Sequence, residues 1–179
     1  YAAGVSGSIL KTTNGGTTWT KVSRGFNADI WSMHFADTSS GWAAGAKGAV
    51  YKTINGGRAW SSKSITLSGY LRDVYAFDTS NAVVVGDRGR IYQTLNGGGA
   101  WLSRTSGTNA TINGVYFADA TTGWAVGARG TILKTTNGGN TWVPQVVPTT
   151  SSLTSIFFTD LNTGYISTDN NCLLKTING

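Results

Sequence analysis

An all-β repeat protein is the fold class this sequence predicts, on three observations. The pair Asn-Gly recurs at Asn14, Asn55, Asn96, Asn137 and Asn178, a step of 41 residues each time with no insertion, and a fixed period of this size marks a repeat architecture. Helix formers are scarce: the 179 residues hold 25 glycines, much Thr and Ser, and no Glu, while the aromatic and β-branched residues favour strands. Short apolar runs bounded by turn residues recur inside every period, as strands between turns do.

One period holds four strands. Strand a is IWSMHFAD, from Ile30 to Asp37, with LRDVYAFD, INGVYFAD and LTSIFFTD as counterparts. It alternates apolar and polar residues and ends at an Asp column (Asp37, Asp78, Asp119, Asp160) whose carboxylates are expected to accept backbone N–H bonds two residues on, as turn residues and not as catalysts. Strand b is GWAAG at Gly41–Gly45, with NAVVVG, GWAVG and GYIST as counterparts. Hairpin-length loops (Ala46-Lys47-Gly48, Asp87-Arg88-Gly89, Ala128-Arg129-Gly130) lead into strand c: AVYKT, RIYQT, TILKT and CLLKT. Adjacent apolar residues in strand c imply burial on both faces. Asn-Gly-Gly then signals a hairpin, since both residue types tolerate positive φ. Strand d is expected to carry a Trp, as in TTWTKV from Thr17 to Val22. Trp19, Trp60, Trp101 and Trp142 each follow the Asn by five residues, and Thr12, Thr53, Thr94, Thr135 and Thr176 each precede it by two. The d-to-a connections (SRGFNADI, SITLSGYL, TSGTNATI, VVPTTSSL) keep their length but not their sequence.

Four antiparallel strands per repeat, buried on both faces, describe a blade of a β-propeller, in which neighbouring blades cover each other. The expected divisions are a partial blade b-c-d over 1–23, complete blades over 24–64, 65–105 and 106–146, and a partial blade a-b-c over 147–179. Incomplete blades leave apolar faces and unpaired edges. The first expectation is therefore a segment of a longer protein, and the second is self-association of copies to close a ring. A start at Tyr1, inside a repeat and without Met, fits a processed or partial chain.

The motif T-x-N-G-G-x-x-W resembles the Asp-box, or bacterial neuraminidase repeat, with Asn in place of the Asp in all five copies. The stretch GWAVGARGTILKTTNGGNTW, from Gly123 to Trp142, resembles more closely the repeat of the photosystem II assembly and stability factor-like propellers, and the likeness runs through the whole chain. It implies a seven-bladed ring, which at 41 residues a blade needs about 287 residues, and a role as a non-catalytic assembly chaperone for a membrane protein complex. The Asn is expected to serve the turn as well as Asp, because it suits a positive-φ position.

Function has to be read from sites. In a propeller the d-to-a and b-c loops share one face and the a-b and c-d turns the other. The variable connections thus share a face with Lys47, Arg88 and Arg129, which occupy one column; Arg72 adds to this basic arc, as do Arg24 and Arg104. A net charge of +6 carried by only 12% charged residues is modest, so the expected partner is a protein or peptide, an acidic one where the basic arc takes part, and not a nucleic acid, which takes denser Lys/Arg. Against this stands a solvated hairpin tip that is simply polar. The second candidate is aromatic: Trp31 with Tyr70 and Phe26, placed to stack on a sugar or anchor a peptide, so a carbohydrate-binding or glycoside-hydrolase-related propeller is the alternative. Sialidases and xyloglucanases look similar but use paired carboxylates or an Arg cluster with Tyr and Glu. Only Asp29 and Asp73 lie near strand a, so no catalytic residues are assigned. Lone Cys172 excludes a disulfide framework, and the single histidine, His34, sits in a column of packing aromatics (Tyr75, Tyr116, Phe157). No metal site and no cofactor are expected. No apolar run is long enough for membrane insertion as a helix, and an extracytoplasmic location is expected. Asn109-Ala110-Thr111 is a glycosylation sequon.

Overall fold

The computed structural model describes residues 1–22 and 26–179. It divides into two compact units, residues 1–82 with 94–101 and residues 83–93 with 102–179. The first unit begins with a three-stranded sheet, β1 (Ala2–Ala3), β2 (Ile9–Lys11) and β3 (Thr20–Lys21). A four-stranded sheet follows, made of β4 (Ile30–Phe35), β5 (Gly41–Gly45), β6 (Val50–Thr53) and β7 (Ser61–Ser62). The same unit holds β8 (Leu71–Ala76). The second unit takes up β9 (Ala82–Gly86) from Val83 and continues with β10 (Arg90–Thr94) and β11 (Leu102–Arg104). Its complete four-stranded sheet is β12 (Ile112–Phe117), β13 (Gly123–Gly127), β14 (Thr131–Thr135) and β15 (Val143–Pro144). A three-stranded sheet, β16 (Leu153–Phe158), β17 (Gly164–Thr168) and β18 (Leu173–Thr176), ends it. Within each sheet, neighbours follow chain order.

The expected strands a, b and c are all present, and the fold class is the all-β propeller type with incomplete blades at both ends. Strand b is the core: every residue of β5, β9 and β13 is buried, as a strand covered on both faces must be. Strand d differs from expectation. It is two or three residues long and begins after the Trp, not before it, because the preceding residues are taken up by the turn.

That turn is a small hydrogen-bonded unit. Thr135 Oγ1 donates to Asn137 Oδ1 at 3.0 Å and accepts the Gly139 amide at 3.0 Å. Asn137 Oδ1 also accepts the Thr141 amide at 2.9 Å, and its Nδ2 donates to Thr141 Oγ1 at 2.9 Å. The Thr-to-Asn bond recurs in all five copies. One expectation is corrected here. The Asn is not at positive φ; the two glycines that follow it are, with Gly138 at 69° and Gly139 at 86°. Asn is kept for the oxygen that its side chain offers the backbone. Asp supplies the same oxygen, which accounts for the exchange between Asn and Asp.

The two ends of each blade are tied separately. At one, the c-d turn bonds the a-b turn: Gly56 N to Ser39 O, Gly97 N to Ser80 O and Gly138 N to Thr121 O, each at 2.8 Å. There the Asp column acts as expected, Asp37 accepting the amides of Ser39 and Ser40 at 2.6 and 2.7 Å, and Asp119 those of Thr121 and Thr122 at 2.7 and 2.6 Å. At the other end, the b-c hairpin lies under the d-to-a connection.

Successive blades within a unit are clamped by strand c. Lys11 Nζ donates to Gly56 O at 3.0 Å, Gln93 Nε2 to Gly138 O at 2.7 Å and Lys134 Nζ to Gly179 O at 2.9 Å. Lysines of strand c also lie over the aromatic ring of the preceding column: Lys11 over Tyr1 at 5.1 Å, Lys52 over Trp42 at 5.4 Å and Lys134 over Trp124 at 5.2 Å. Where strand b carries Val83 in place of the aromatic, strand c carries Gln93 in place of Lys. Without a π face, a half-buried ammonium loses part of its compensation, whereas an amide makes the same bond uncharged.

Two outcomes follow for stability, both read by denaturant unfolding. Thr135→Val leaves the buried Gly139 amide unpaired and is expected to cost about 1–3 kcal/mol, as is Asn137→Ala, while Asn137→Asp costs less because the accepting oxygen stays. Lys134→Ala is expected to cost about 1–3 kcal/mol, and Lys134→Gln less than half as much.

Candidate functional site

The b-c hairpin tips carry the cation column in an unusual backbone state. Lys47, Arg88 and Arg129 have φ of 56°, 60° and 59°, the left-handed region that costs a non-glycine residue about 1–2 kcal/mol. The glycine after each is buried and also left-handed. A Cβ there would lie 2.0 Å from Ile65 O at Gly48, 1.9 Å from Thr108 O at Gly89 and 2.1 Å from Thr149 O at Gly130. The glycine therefore lets the tip tuck under the d-to-a connection, and the residue before it is pushed outward; all three cations are exposed. Ser6 repeats the geometry with φ of 53°. Asn170 does not, because Asn171, at 62°, takes the left-handed position where no glycine is present. In the second unit Arg88 borders a groove of ≈ 390 Å³ that also takes in Arg90, Arg104 and Ser106. Arg104 lies on β11, held by Gln93 Oε1 at 3.0 Å and Asn140 Oδ1 at 2.7 Å. Arg24 lies outside the described residues.

Arg72 belongs with the aromatics. Its guanidinium stands 4.6 Å from the Trp31 ring and 5.1 Å from the Tyr70 ring, and the two rings are 5.4 Å apart, tilted by 49°. Trp31 and Tyr70 remain 50% and 41% exposed, so an aromatic surface with a cation set in it faces solvent in the first unit. The cause is a bulge. In β4 the pairing steps from Ile30↔Gly45 to Ser32↔Ala44, leaving Trp31 out of register; β12 and β16 do the same at Asn113 and Thr154. A bulge re-aims the extra side chain, and Trp31 is that residue. The sequence named Trp31, Arg72 and Tyr70 but divided them between two sites. Their signal was the 41-residue offset between Trp31 and Arg72, with Tyr70 one residue away.

Phe26 is elsewhere. It packs with Ile30, Ala43 and Tyr51, its ring 4.1 Å from that of Tyr51 and 6.0 Å from that of Trp60, which makes it cover for the blade core. Asp29 accepts the Ser6 amide at 2.7 Å, and Asp73 accepts the Ser32 hydroxyl at 2.5 Å. Both are engaged in tying strand a to its surroundings. Among the described residues no three His, Cys or Asp side chains are grouped to hold a metal, and no helix is long and apolar enough to cross a membrane. Cys172 and Asn109 are exposed.

His34 stacks on Tyr75 at 4.4 Å, and its Nδ1 accepts the Ala76 amide at 3.1 Å. Burial holds its pKa below the ordinary 6.5. The unfolded chain therefore takes up a proton that the folded one resists, so stability is full above about pH 6.5 and falls below it. His34→Phe, the residue of its column at Phe157, is expected to flatten the loss of stability between about pH 7 and pH 5 measured by chemical denaturation.

The family model of the photosynthesis system II assembly factor YCF48 matches residues 1–114 and 105–179. Among curated proteins there is no match. Solved structures share the fold. The YCF48 protein from Cyanidioschyzon merolae is 20% identical over 96% of this chain, with a TM-score of 0.75, and the chain spans 63% of its length. A structure described as YCF48 bound to D1 peptide is 18% identical over 99% of this chain and 89% of that one, with a TM-score of 0.53. The GH74 enzyme of Niastella koreensis is 20% identical over 97% of this chain and 34% of that one, with a TM-score of 0.76. The family model covers the chain from end to end, so this chain belongs to the photosystem II assembly factor YCF48 family.

Proposed function

We propose that this chain is a non-catalytic binding module outside the cytoplasm that takes a protein or peptide segment with acidic and apolar side chains. The observation that carries it is the Arg72 guanidinium set between the exposed Trp31 and Tyr70 rings. A cation stacked on aromatic faces offers charge beside apolar area, the combination on which binding energy concentrates at interfaces. The hairpin cations Lys47, Arg88 and Arg129 stand at one position of successive repeats, each exposed at its tip, and are suited to steering an acidic segment. The likeness to YCF48 bound to D1 peptide supports the same reading.

A sugar stacked on Trp31 and Tyr70 is the second reading, favoured by the fold shared with GH74 enzymes. Engagement of Asp29 and Asp73 in structural hydrogen bonds and the absence of Glu count against hydrolysis. The extracytoplasmic location rests on the family resemblance alone.

The test is binding of a dye-labelled peptide of alternating Glu and Leu, measured against ionic strength, with Gln in place of Glu as control. Arg72→Ala and Trp31→Ala are each expected to weaken binding about tenfold or more, equivalent to about 1.4 kcal/mol. The triple change of Lys47, Arg88 and Arg129 to Ala is expected to flatten the salt dependence. Affinity indifferent to Arg72 and to salt contradicts the proposal, and a glycan array with a Trp31-dependent signal favours the sugar.

A further inference from the structure

Asn-Gly is the pair in which an asparagine side chain is most open to attack by its own backbone, because glycine carries no side chain to hinder closure of a five-membered ring. Three such pairs, Asn55-Gly56, Asn96-Gly97 and Asn137-Gly138, occupy the c-d turns between β6 and β7, β10 and β11, and β14 and β15. All three asparagines are exposed, so water reaches each carboxamide.

The reaction is a deamidation. The glycine nitrogen gives up its proton and bonds to the asparagine Cγ; the Cγ–Nδ2 bond breaks and ammonia leaves with a proton. Water then opens the cyclic imide at one carbonyl or the other, to aspartate or to isoaspartate. Two atoms must therefore be free to meet, the glycine nitrogen and the asparagine Cγ.

The fold withholds both. Each glycine amide donates to the facing a-b turn, Gly56 to Ser39 O, Gly97 to Ser80 O and Gly138 to Thr121 O, at 2.8 Å in every case. Those turns are pinned by a carboxylate, as Asp78 pins the amides of Ser80 and Asn81 at 2.5 and 2.8 Å. The glycine has little room to swing, since an added Cβ would lie 2.9 Å from Thr38 O at Gly56 and 3.1 Å from Ala120 O at Gly138. On the other side the carboxamide is fixed through its oxygen. Asn55 Oδ1 accepts the Thr53 hydroxyl at 3.0 Å and the Ala59 amide at 2.9 Å. Asn96 Oδ1 accepts the Thr94 hydroxyl at 3.1 Å and the Ala100 amide at 2.8 Å, and Asn137 is held in the same way. Ring closure has to break the glycine bond and swing the carboxamide off its partners at once.

We infer that Asn55, Asn96 and Asn137 are modification sites gated by their own blades: each deamidates only while its c-d turn is detached from the a-b turn, and the product decides whether the turn closes again. Aspartate keeps an oxygen where the carboxamide had one, so the turn re-forms. Isoaspartate runs the main chain through the former side chain, one carbon longer. That moves the two left-handed glycines away from the Thr hydroxyl and leaves the turn open. A local opening, which is otherwise transient, thus leaves a permanent chemical mark at the blade that opened.

Peptide mapping by mass spectrometry, with fragmentation that separates aspartate from isoaspartate, tests this on the whole chain held in mildly alkaline buffer. Each of the three sites is expected to react about tenfold or more slowly in the folded chain than in the same chain in concentrated urea, since only the open fraction reacts. Asp119→Ala frees the a-b turn around Thr121. It is expected to speed reaction at Asn137 about fivefold or more, the effect of losing one net hydrogen bond, and to leave Asn55 and Asn96 as they were. Circular dichroism checks that the variant folds, and Asp37→Ala, expected to speed Asn55 instead, repeats the test in the other unit. Equal rates in the folded and the urea-unfolded chain overturn the inference. So does protection of Asn137 and Asn55 that survives these changes in folded variants.

Discussion

The bond between a Thr hydroxyl and an Asn carboxamide in the T-x-N-G-G turn is the interaction on which the rest of the structure depends. It fixes the carboxamide so that one oxygen accepts both the hydroxyl and the amide four residues on, while the Thr oxygen accepts the amide of the second glycine. Left-handed backbone at both glycines is then held from two sides. The turn in turn presents a glycine carbonyl to the clamp residue of the preceding blade (Lys11, Gln93 or Lys134), so the unit that reverses the chain also spaces one blade from the next. A side-chain cap of this kind supplies a buried backbone with partners that no ladder offers. It explains how strand d can be only two or three residues long without leaving the blade edge loose.

The two ends of a blade are built for different tasks. Where a-b and c-d turns meet, side chains are spent on backbone amides, and the Asp carboxylates are held below their ordinary pKa chiefly by those N–H bonds in Asp37, Asp119 and Asp160. At the other end the backbone satisfies itself: Ala46 N bonds Asp29 O and Ala128 N bonds Thr111 O. Side chains there are released to face outward from a rigid tip. A non-glycine residue held at positive φ under a packed connection is over-determined by its surroundings, which is the condition for a pre-set binding residue.

Most of the scaffold was legible in the sequence because the repeat tests each column several times. Strands a, b and c, the turn role of the Asp column and the packing role of His34 were all visible from alternation and column chemistry. Three things were not. The repeat suggests a strand d that contains the Trp, because side-chain capping of the preceding turn leaves no signature in periodicity. Asn suggests a positive φ through its intrinsic preference, whereas the two adjacent glycines take that state more cheaply. The grouping of Arg72 with Trp31 and Tyr70 depends on a bulge at the start of β4, and a one-residue change of register cannot be seen in a repeat whose length never varies. The Lys-aromatic clamp was readable in principle, since Val83 and Gln93 change together, but only after strand b and strand c are set in register.

Native-state hydrogen exchange tests the central claim most directly. The amides of Gly57, Gly98 and Gly139 are bonded to a Thr hydroxyl and not to a backbone carbonyl of a strand ladder. If these turns hold the blades, they exchange only through the opening that also exposes the amides of strand b, with the same free energy. Exchange at the rate of surface loops, with strand b still protected, would contradict the account and make the turn a passenger of the sheet.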